Sequence, residues 1–202
     1  ASDYILKPVD KNDLIRAVKV AMDQVETQKQ LTQVVSQINT ENKDIEKAVI
    51  YGDVRSGYLT HIKIANMVAE EKPDMIIFTG DIASNSRNYI HYLQHTIFER
   101  KLWNMAEYYP VRGNHESTYW LYDAFFDLPN DKSYYSFDRM GMHFIVLDCW
   151  NVYKPLEEKQ MQWLKEDLEK NKNKPISVAM HVPLFTSGKY EPYNEPDLLA
   201  LF

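Results

Sequence analysis

Four short apolar segments of the chain each lead into a residue that can bind a metal ion, and no other feature limits the possible folds as strongly. A short apolar run bounded by turn residues is typical of a buried strand. The four segments and the residues that follow them are 47–51 with Asp53, 74–79 with Asp81, 108–111 with Asn114, and 176–180 with His181. The sequence therefore predicts strands that present these four residues at their ends.

Helical patterns alternate with these segments, which predicts an α/β fold. An apolar stretch around Arg139-Met140-Gly141 also predicts a hairpin. The helices are expected near 58–71, 88–105, 117–126 and 157–171, and the hairpin strands at 133–137 and 142–147.

Glycine placement favours a binding role for three of the strand ends. The chain has only six glycines, and Gly52, Gly80 and Gly113 each directly precede a potential ligand. Glycine allows a tight turn and leaves no side chain in the way of an approaching ion or phosphate. A single Gly-Asp pair after a strand is more often an ordinary turn, but the ordered set of Asp, Asp, Asn and His favours a metal site.

The four residues offer three oxygen ligands and one nitrogen ligand. Asp53 and Asp81 supply carboxylates, Asn114 supplies an amide oxygen, and His181 supplies an imidazole. This mixture suits manganese, iron or zinc better than a calcium site, which is built from oxygen ligands.

The order Gly-Asp, Gly-Asp, Gly-Asn-His-Glu, and then His after an apolar strand, resembles the calcineurin-like metallophosphoesterase superfamily. The surroundings of Asp53 and Asn114, together with the stretch 134–138, are similar to its purple-acid-phosphatase-like bacterial branch. The resemblance runs from about Ile45 onward. It implies an α/β fold of the metallophosphoesterase type, an αββα sandwich, in a domain of residues 44–202.

The resemblance also implies a chemistry, which is hydrolysis of a phosphate ester at two metal ions that share a bridging hydroxide. Asp53 then binds the first ion, and Asp81 bridges the two. Asn114 and His181 bind the second ion, and His115 is the candidate catalytic acid that protonates the leaving alkoxide. The expected cofactors are two divalent or transition metal ions (manganese, iron or zinc), and the expected partner is a phosphate-ester substrate.

The chain departs from the family pattern in three places. Arg55 stands where many relatives have a metal-binding histidine. It is predicted to bind substrate phosphate, and a loop arginine paired to a carboxylate is an equal alternative. Ser84 replaces the tyrosine of true purple acid phosphatases, so a tyrosinate-bound ferric ion is not expected. No Gly-His-x-His motif follows His181 before Phe202, so we expect a sandwich truncated at its C-terminus and weak metal binding or inactivity.

Residues 1–43 differ from the rest of the chain. The segment 2–10 and the helical pattern after it resemble the last strand and last helix of a response-regulator receiver domain, with Lys7 at the position of the family's phosphoaspartate-contacting lysine. An apolar stripe from Leu14 to Ile38 predicts a long N-terminal helix that needs a partner. That partner is the phosphoesterase domain, a second chain in a homodimer, or further protein. The expected context is receiver-linked signalling.

Composition narrows the range of partners. A formal net charge of −6 argues against a nucleic-acid binder, which usually has a basic surplus. No stretch approaches the roughly 20 apolar residues of a membrane span, and no signal peptide follows Ala1, so no membrane association and a cytoplasmic location are expected. The single cysteine, Cys149, excludes an internal disulfide and is expected to be a buried thiol.

Two alternative functions remain open. One is a catalytically dead signalling or dimerisation module, in which Asp53→Ala and Asn114→Ala would change nothing. The other is a phosphodiesterase that acts on diesters or cyclic nucleotides, which pocket loops such as 84–88 and 186–193 would decide.

Three further predictions concern residues with structural roles. His91 and His95 lie four residues apart on a predicted helix, a geometry that can bind zinc, but no third ligand is evident. His61 is predicted to be exposed. Glu116 is expected to cap the following helix or to orient His115.

Overall fold

The computed structural model describes residues 46–85, 87–117, 119–151, 154–186 and 196–201. Residues 1–45 lie outside this part, so the receiver resemblance and the long N-terminal helix stay predictions. The first half contains β1 (Ala48–Tyr51), α1 (Tyr58–Glu71), β2 (Met75–Phe78), α2 (Tyr89–Trp103), β3 (Glu107–Pro110) and α3 (Tyr119–Phe125). The second half contains a 3-10 turn (Pro129–Asp131), β4 (Tyr135–Arg139), β5 (Met142–Val146), α4 (Glu158–Asn171), β6 (Ile176–Ala179) and α5 (Pro196–Leu199).

The strands form two three-stranded sheets. In the first sheet β1, β2 and β3 lie in that order and are all parallel, as expected for strands joined by helical crossovers. In the second sheet β4 and β5 form an antiparallel hairpin, and β6 pairs with β5 in parallel. The hairpin turns at Met140 and Gly141, which both have positive φ.

Alternating side chains on the central strands build four layers. On β2, Met75 and Ile77 share a core with residues of β4 and β5, so the two sheets pack face to face. Ile76 points to the other side of β2 and packs against α1 and α2. In the same way, Ile145 of β5 packs against Leu164 of α4. The predicted αββα sandwich is therefore confirmed for the part of the chain that the structure describes.

The predicted element boundaries are close to those observed. The helix expected near 88–105 is Tyr89–Trp103, and the one expected near 117–126 is Tyr119–Phe125. The prediction that His61 is exposed is wrong, because α1 turns this side chain toward α2, where it is 3% exposed. Within the described ranges, every helix is too short or too polar to cross a membrane.

Candidate metal centre

The parallel strands of the first sheet place three predicted ligands at one edge, because their carboxyl ends lie side by side. Asp53, Asp81 and Asn114 follow β1, β2 and β3, and His181 follows β6 of the second sheet. One potential ligand atom from each of Asp53, Asp81 and His181 lies within 4.8 Å of the other two. The fourth residue, Asn114, joins them through its Oδ1, which is 2.9 Å from His181 Nε2. The structure thus brings all four residues together.

The hydrogen bonds of His181 define what can lie between these side chains. Its Nδ1 is 2.6 Å from the carbonyl oxygen of Thr79, which can only accept, so Nδ1 carries the proton. In the neutral ring Nε2 then carries a lone pair. This nitrogen lies 2.9 Å from Asn114 Oδ1 and 3.5 Å from Asp81 Oδ1. A metal ion among these atoms would offset the repulsion between their lone pairs, so this donor set fits a metal ion.

Arg55 brings a positive charge to the same edge. Its Nη1 donates to Asp53 Oδ1 at 2.7 Å and also to Asp81 Oδ2. The structure therefore places Arg55 at the site, paired with carboxylates, which is the alternative to its predicted contact with phosphate. The side chain of Asp53 is 66% exposed, whereas that of Asp81 is 1% exposed. Solvent screens the Asp53 end of this pairing, so Arg55 is more weakly held there.

Gly113 is required by the close approach of two loops. A Cβ atom at this position would lie 2.3 Å from Asp81 N and 2.4 Å from Asp81 Oδ1. Gly80 faces the same contact and has a φ of +93°, a conformation that residues with a side chain rarely adopt. These glycines therefore let the backbone after β2 touch the backbone after β3, which sets the distance between Asp81 and Asn114.

Glu116 holds these two loops together through hydrogen bonds to their backbone, which is neither of its predicted roles, helix capping and orientation of His115. Its fully buried carboxylate accepts backbone N–H bonds from Asp81 at 2.7 Å, Ala83 at 3.0 Å and Gly113 at 3.0 Å. It neither caps α3, which begins at Tyr119, nor contacts the His115 ring among the bonds that the structure shows. Burial, followed by the nearby charge of Asp81, raises the pKa of Glu116 to about 7.

Arg112 and Asp148 form a buried support that the sequence reasoning missed. Arg112 Nε donates to the Glu116 carbonyl oxygen at 2.8 Å, and its Nη1 donates to Asp148 Oδ2 at 3.1 Å. The pair links the loop after β3 to the chain after β5. The signal for Asp148 was present, because it too is a carboxylate that directly follows an apolar strand-forming run.

His115, the candidate proton donor, borders the centre. Its backbone N–H donates to Asp81 Oδ1 at 3.1 Å, and its ring Nδ1 is 3.2 Å from the carbonyl oxygen of Ser84. Nδ1 therefore holds a proton for that carbonyl, and Nε2 is the nitrogen left for proton exchange. The half-buried ring has access to solvent, as a proton donor to a bound molecule needs.

The chain is similar in sequence to known proteins. The family model described as calcineurin-like phosphoesterase matches residues 47–202. Purple acid phosphatase 15 of Arabidopsis thaliana is 26% identical over 191 residues, which cover 76% of this chain and 36% of the relative. A probable glycerophosphodiester phosphodiesterase of Arcobacter nitrofigilis is 30% identical over 121 residues, which cover 55% of this chain and 42% of the relative.

A solved structure shows the same fold. The purple acid phosphatase PPD1 from yellow lupin (Lupinus luteus) seeds superposes with a TM-score of 0.60 at 17% identity, over 77% of this chain and 35% of that chain. The chain thus spans about two-fifths or less of the length of these relatives. The match to the family model covers most of the chain, and the chain therefore belongs to the calcineurin-like phosphoesterase family.

Proposed function

We propose that this chain carries the metal-binding part of a phosphoric ester hydrolase, and that its substrate is a phosphate ester. The observation that carries the proposal is the position of His181 Nε2, which lies 2.9 Å from Asn114 Oδ1 and 3.5 Å from Asp81 Oδ1. The sequence similarity to phosphatases and to a probable phosphodiesterase supports the same reaction class.

Two metal ions fit the residues as follows. Asp53 and Asp81 would hold the first ion, and Asn114 and His181 would hold the second, with Asp81 available to both. Manganese, iron or zinc suits this mixture of oxygen and nitrogen. Such a pair supplies, when bound, a hydroxide nucleophile at neutral pH and positive charge that stabilises the phosphoryl group.

The chain's own side chains perform the remaining steps. Hydrolysis forms one P–O bond from water and breaks the ester P–O bond, and the departing alkoxide needs a proton. His115 Nε2 donates that proton, and Nδ1 keeps its own on the Ser84 carbonyl. Arg55 donates to the same carboxylates, and with cations bound there its guanidinium would be free to bind the phosphate oxygens instead. Glu116 keeps the two ligand loops at a fixed separation throughout.

The wider context belongs to the same proposal. The resemblance of residues 2–10 to a receiver domain supports a cytoplasmic signalling role, and the predicted N-terminal helix supports pairing of two chains. The relatives are named as phosphatases and as a probable phosphodiesterase, so the assay includes both a monoester and a diester substrate.

The test measures metal content and hydrolysis together. The 202-residue chain is loaded with manganese or zinc, and metal per chain is compared with turnover of p-nitrophenyl phosphate and bis-p-nitrophenyl phosphate. Asp81→Asn should lower metal affinity and hydrolysis by more than about 100-fold, since a change in a supporting residue alone costs about 10–100-fold. The matched control is Asp127→Asn, an exposed aspartate after α3, which should behave as wild type.

The outcomes separate the candidate functions. Equal metal content in wild type and Asp81→Asn would refute the proposed centre. Metal binding that depends on Asp81, without turnover of either ester, would instead favour the catalytically dead signalling module. Preference for one ester over the other would assign monoester or diester chemistry.

A further inference from the structure

We propose that His61, His95 and Glu99 form a second metal site, suited to zinc, that is buried between α1 and α2. These three residues take no part in the candidate metal centre, so the inference does not rest on the proposed function. One ring nitrogen of each histidine and one carboxylate oxygen of Glu99 lie within 4.8 Å of one another. Ligands about 2.0–2.1 Å from a zinc ion are within about 4 Å of one another, so small side-chain rotations close the set.

The backbone holds the three ligands in a rigid frame. His95 and Glu99 are one turn apart on α2 and therefore project from the same face of the helix. His61 comes from α1, which packs against α2. The three side chains are 3%, 2% and 0% exposed, in the order His61, His95, Glu99. Packed helices position the residues of a site more precisely than loops do.

An unpartnered nitrogen points to a missing ligand. His95 Nε2 lies 3.1 Å from Tyr108 Oη, whereas His95 Nδ1 is fully buried and has no hydrogen-bonding partner among the described residues. A buried polar atom without a partner is unfavourable, and a bound ligand would supply that partner. Burial, followed by the neighbouring His61, holds the pKa of His95 well below its usual range, and a neutral imidazole is the form that binds zinc.

The negative charge of the buried Glu99 carboxylate also favours a bound cation. This carboxylate is completely buried and contacts His61 Nε2 and the Tyr51 hydroxyl. A metal ion would compensate the charge of this buried carboxylate. The contacts of Glu99 with His61 and Tyr51 leave His95 Nδ1 without a partner among the described residues. A zinc ion satisfies all three residues together.

Surrounding residues complete the features of a protein zinc site. Tyr51 donates to Glu99, and Tyr108 contacts the second nitrogen of His95, which are the supporting contacts that orient metal ligands. Aromatic rings enclose the ligands: the ring of Phe98 is 5.3 Å from that of His61, and the ring of Phe78 is 4.8 Å from that of His95. An ion held by these residues would join α1 and α2.

The experiment separates this site from the candidate metal centre by working in a chain that carries Asp81→Asn. Zinc per chain is measured by elemental analysis after loading and removal of excess metal. His95→Phe keeps a flat ring within the aromatic surroundings but removes both nitrogens. The matched control is His91→Phe, the same change one turn earlier on α2 and outside the cluster.

We expect one zinc ion per chain in the Asp81→Asn variant and in the control that also carries His91→Phe. The chain that carries Asp81→Asn and His95→Phe should lose this zinc. Zinc at about 100-fold above its dissociation constant should also raise the melting temperature of the first two chains by about 5–10 °C, and that of the third not at all. Equal zinc content and equal melting shifts for the His91 and His95 variants would overturn the proposal.

A second variant covers failure of His95→Phe to fold. Glu99→Gln keeps the shape of the side chain and a hydrogen bond to Tyr51 but is a poor zinc ligand. It should lose the same zinc, and retention of that zinc would equally overturn the proposal. Failure of the proposed hydrolytic centre would have a different signature, since wild type and Asp81→Asn would then bind the same amount of metal.

Discussion

Removal of the Arg112 guanidinium should destabilise the domain because of where that charge lies. Arg112 is completely buried, and its Nη1 is 3.1 Å from Asp148 Oδ2. The guanidinium carbon lies 5.9 Å from the ring of Tyr122 and 5.2 Å from that of Trp150, so aromatic faces enclose the ion pair. Its Nε also holds the carbonyl oxygen of Glu116. One side chain thus anchors the ligand-bearing loop after β3.

The size of the effect follows from what Arg112→Met leaves behind. Breaking a buried ion pair by removing one partner costs about 3–5 kcal/mol, because the other charge stays buried without compensation. Asp148 keeps hydrogen bonds from the Ser133 hydroxyl and the Trp150 N–H, so we expect the lower end, about 3 kcal/mol. For a domain of this size that loss corresponds to a fall of about 6–12 °C in melting temperature.

Urea and thermal unfolding of four chains test the reasoning: wild type, Arg112→Met, Asp148→Asn and the double variant. The double variant removes both charges, so its loss should be smaller than the sum of the two single losses by more than about 1 kcal/mol. Arg139→Met is the control, since Arg139 pairs with exposed Glu46 and Glu107 and should matter much less. Additive losses, or equal effects at Arg112 and Arg139, would show that the buried pair does not act as a unit.

Three shorter predictions concern other parts of the same region. Gly113→Ala should abolish metal binding at the candidate metal centre, seen in elemental analysis as less metal per chain than in wild type, because its Cβ would overlap Asp81, whereas Gly57→Ala, whose nearest neighbour is at 3.4 Å, should retain the wild-type metal content. Glu116→Ala leaves three buried N–H groups without an acceptor and should lower the unfolding free energy by about 2–4 kcal/mol in urea titrations; a loss below about 1 kcal/mol would contradict the role given to this carboxylate. Burial raises the pKa of Cys149 to about 11, so iodoacetamide at pH 8 should modify the folded chain at least about 100-fold more slowly than the urea-unfolded chain, and comparable rates would refute burial of the thiol.

The sequence predicted the elements and the ends of the strands well because both are local patterns. Runs of four to six residues indicated β1, β2, β3 and β6, and the glycines marked where each of the first three runs stops. The expected hairpin and four helices lie within about two residues of their predicted bounds. Parallel pairing then brings residues at the ends of different strands together, although they are far apart in the chain.

The contacts that hold the site were not predictable in the same way. A buried arginine looks like an exposed one in a sequence, and only the packing of β3 against the residues after β5 shows that Arg112 meets Asp148. The sequence around His61 predicts an exposed side chain. It therefore does not indicate that His61 lies beside His95 as a possible further ligand. Tertiary contacts between α1 and α2 decide the burial of His61.

The backbone at the two aspartates explains which substitution tests function without disturbing the fold. Asp53 has a φ of +57° and Asp81 a φ of +63°, a left-handed conformation that costs most residues about 1–2 kcal/mol. Aspartate and asparagine tolerate this conformation better than alanine, because their short polar side chains form local hydrogen bonds. An alanine at either position would therefore combine loss of a ligand with backbone strain, and a loss of activity would have two causes. The Asp81→Asn substitution keeps the backbone preference and nearly the same side-chain volume but removes the charge, so a metal loss in this variant at unchanged melting temperature isolates the role of the carboxylate.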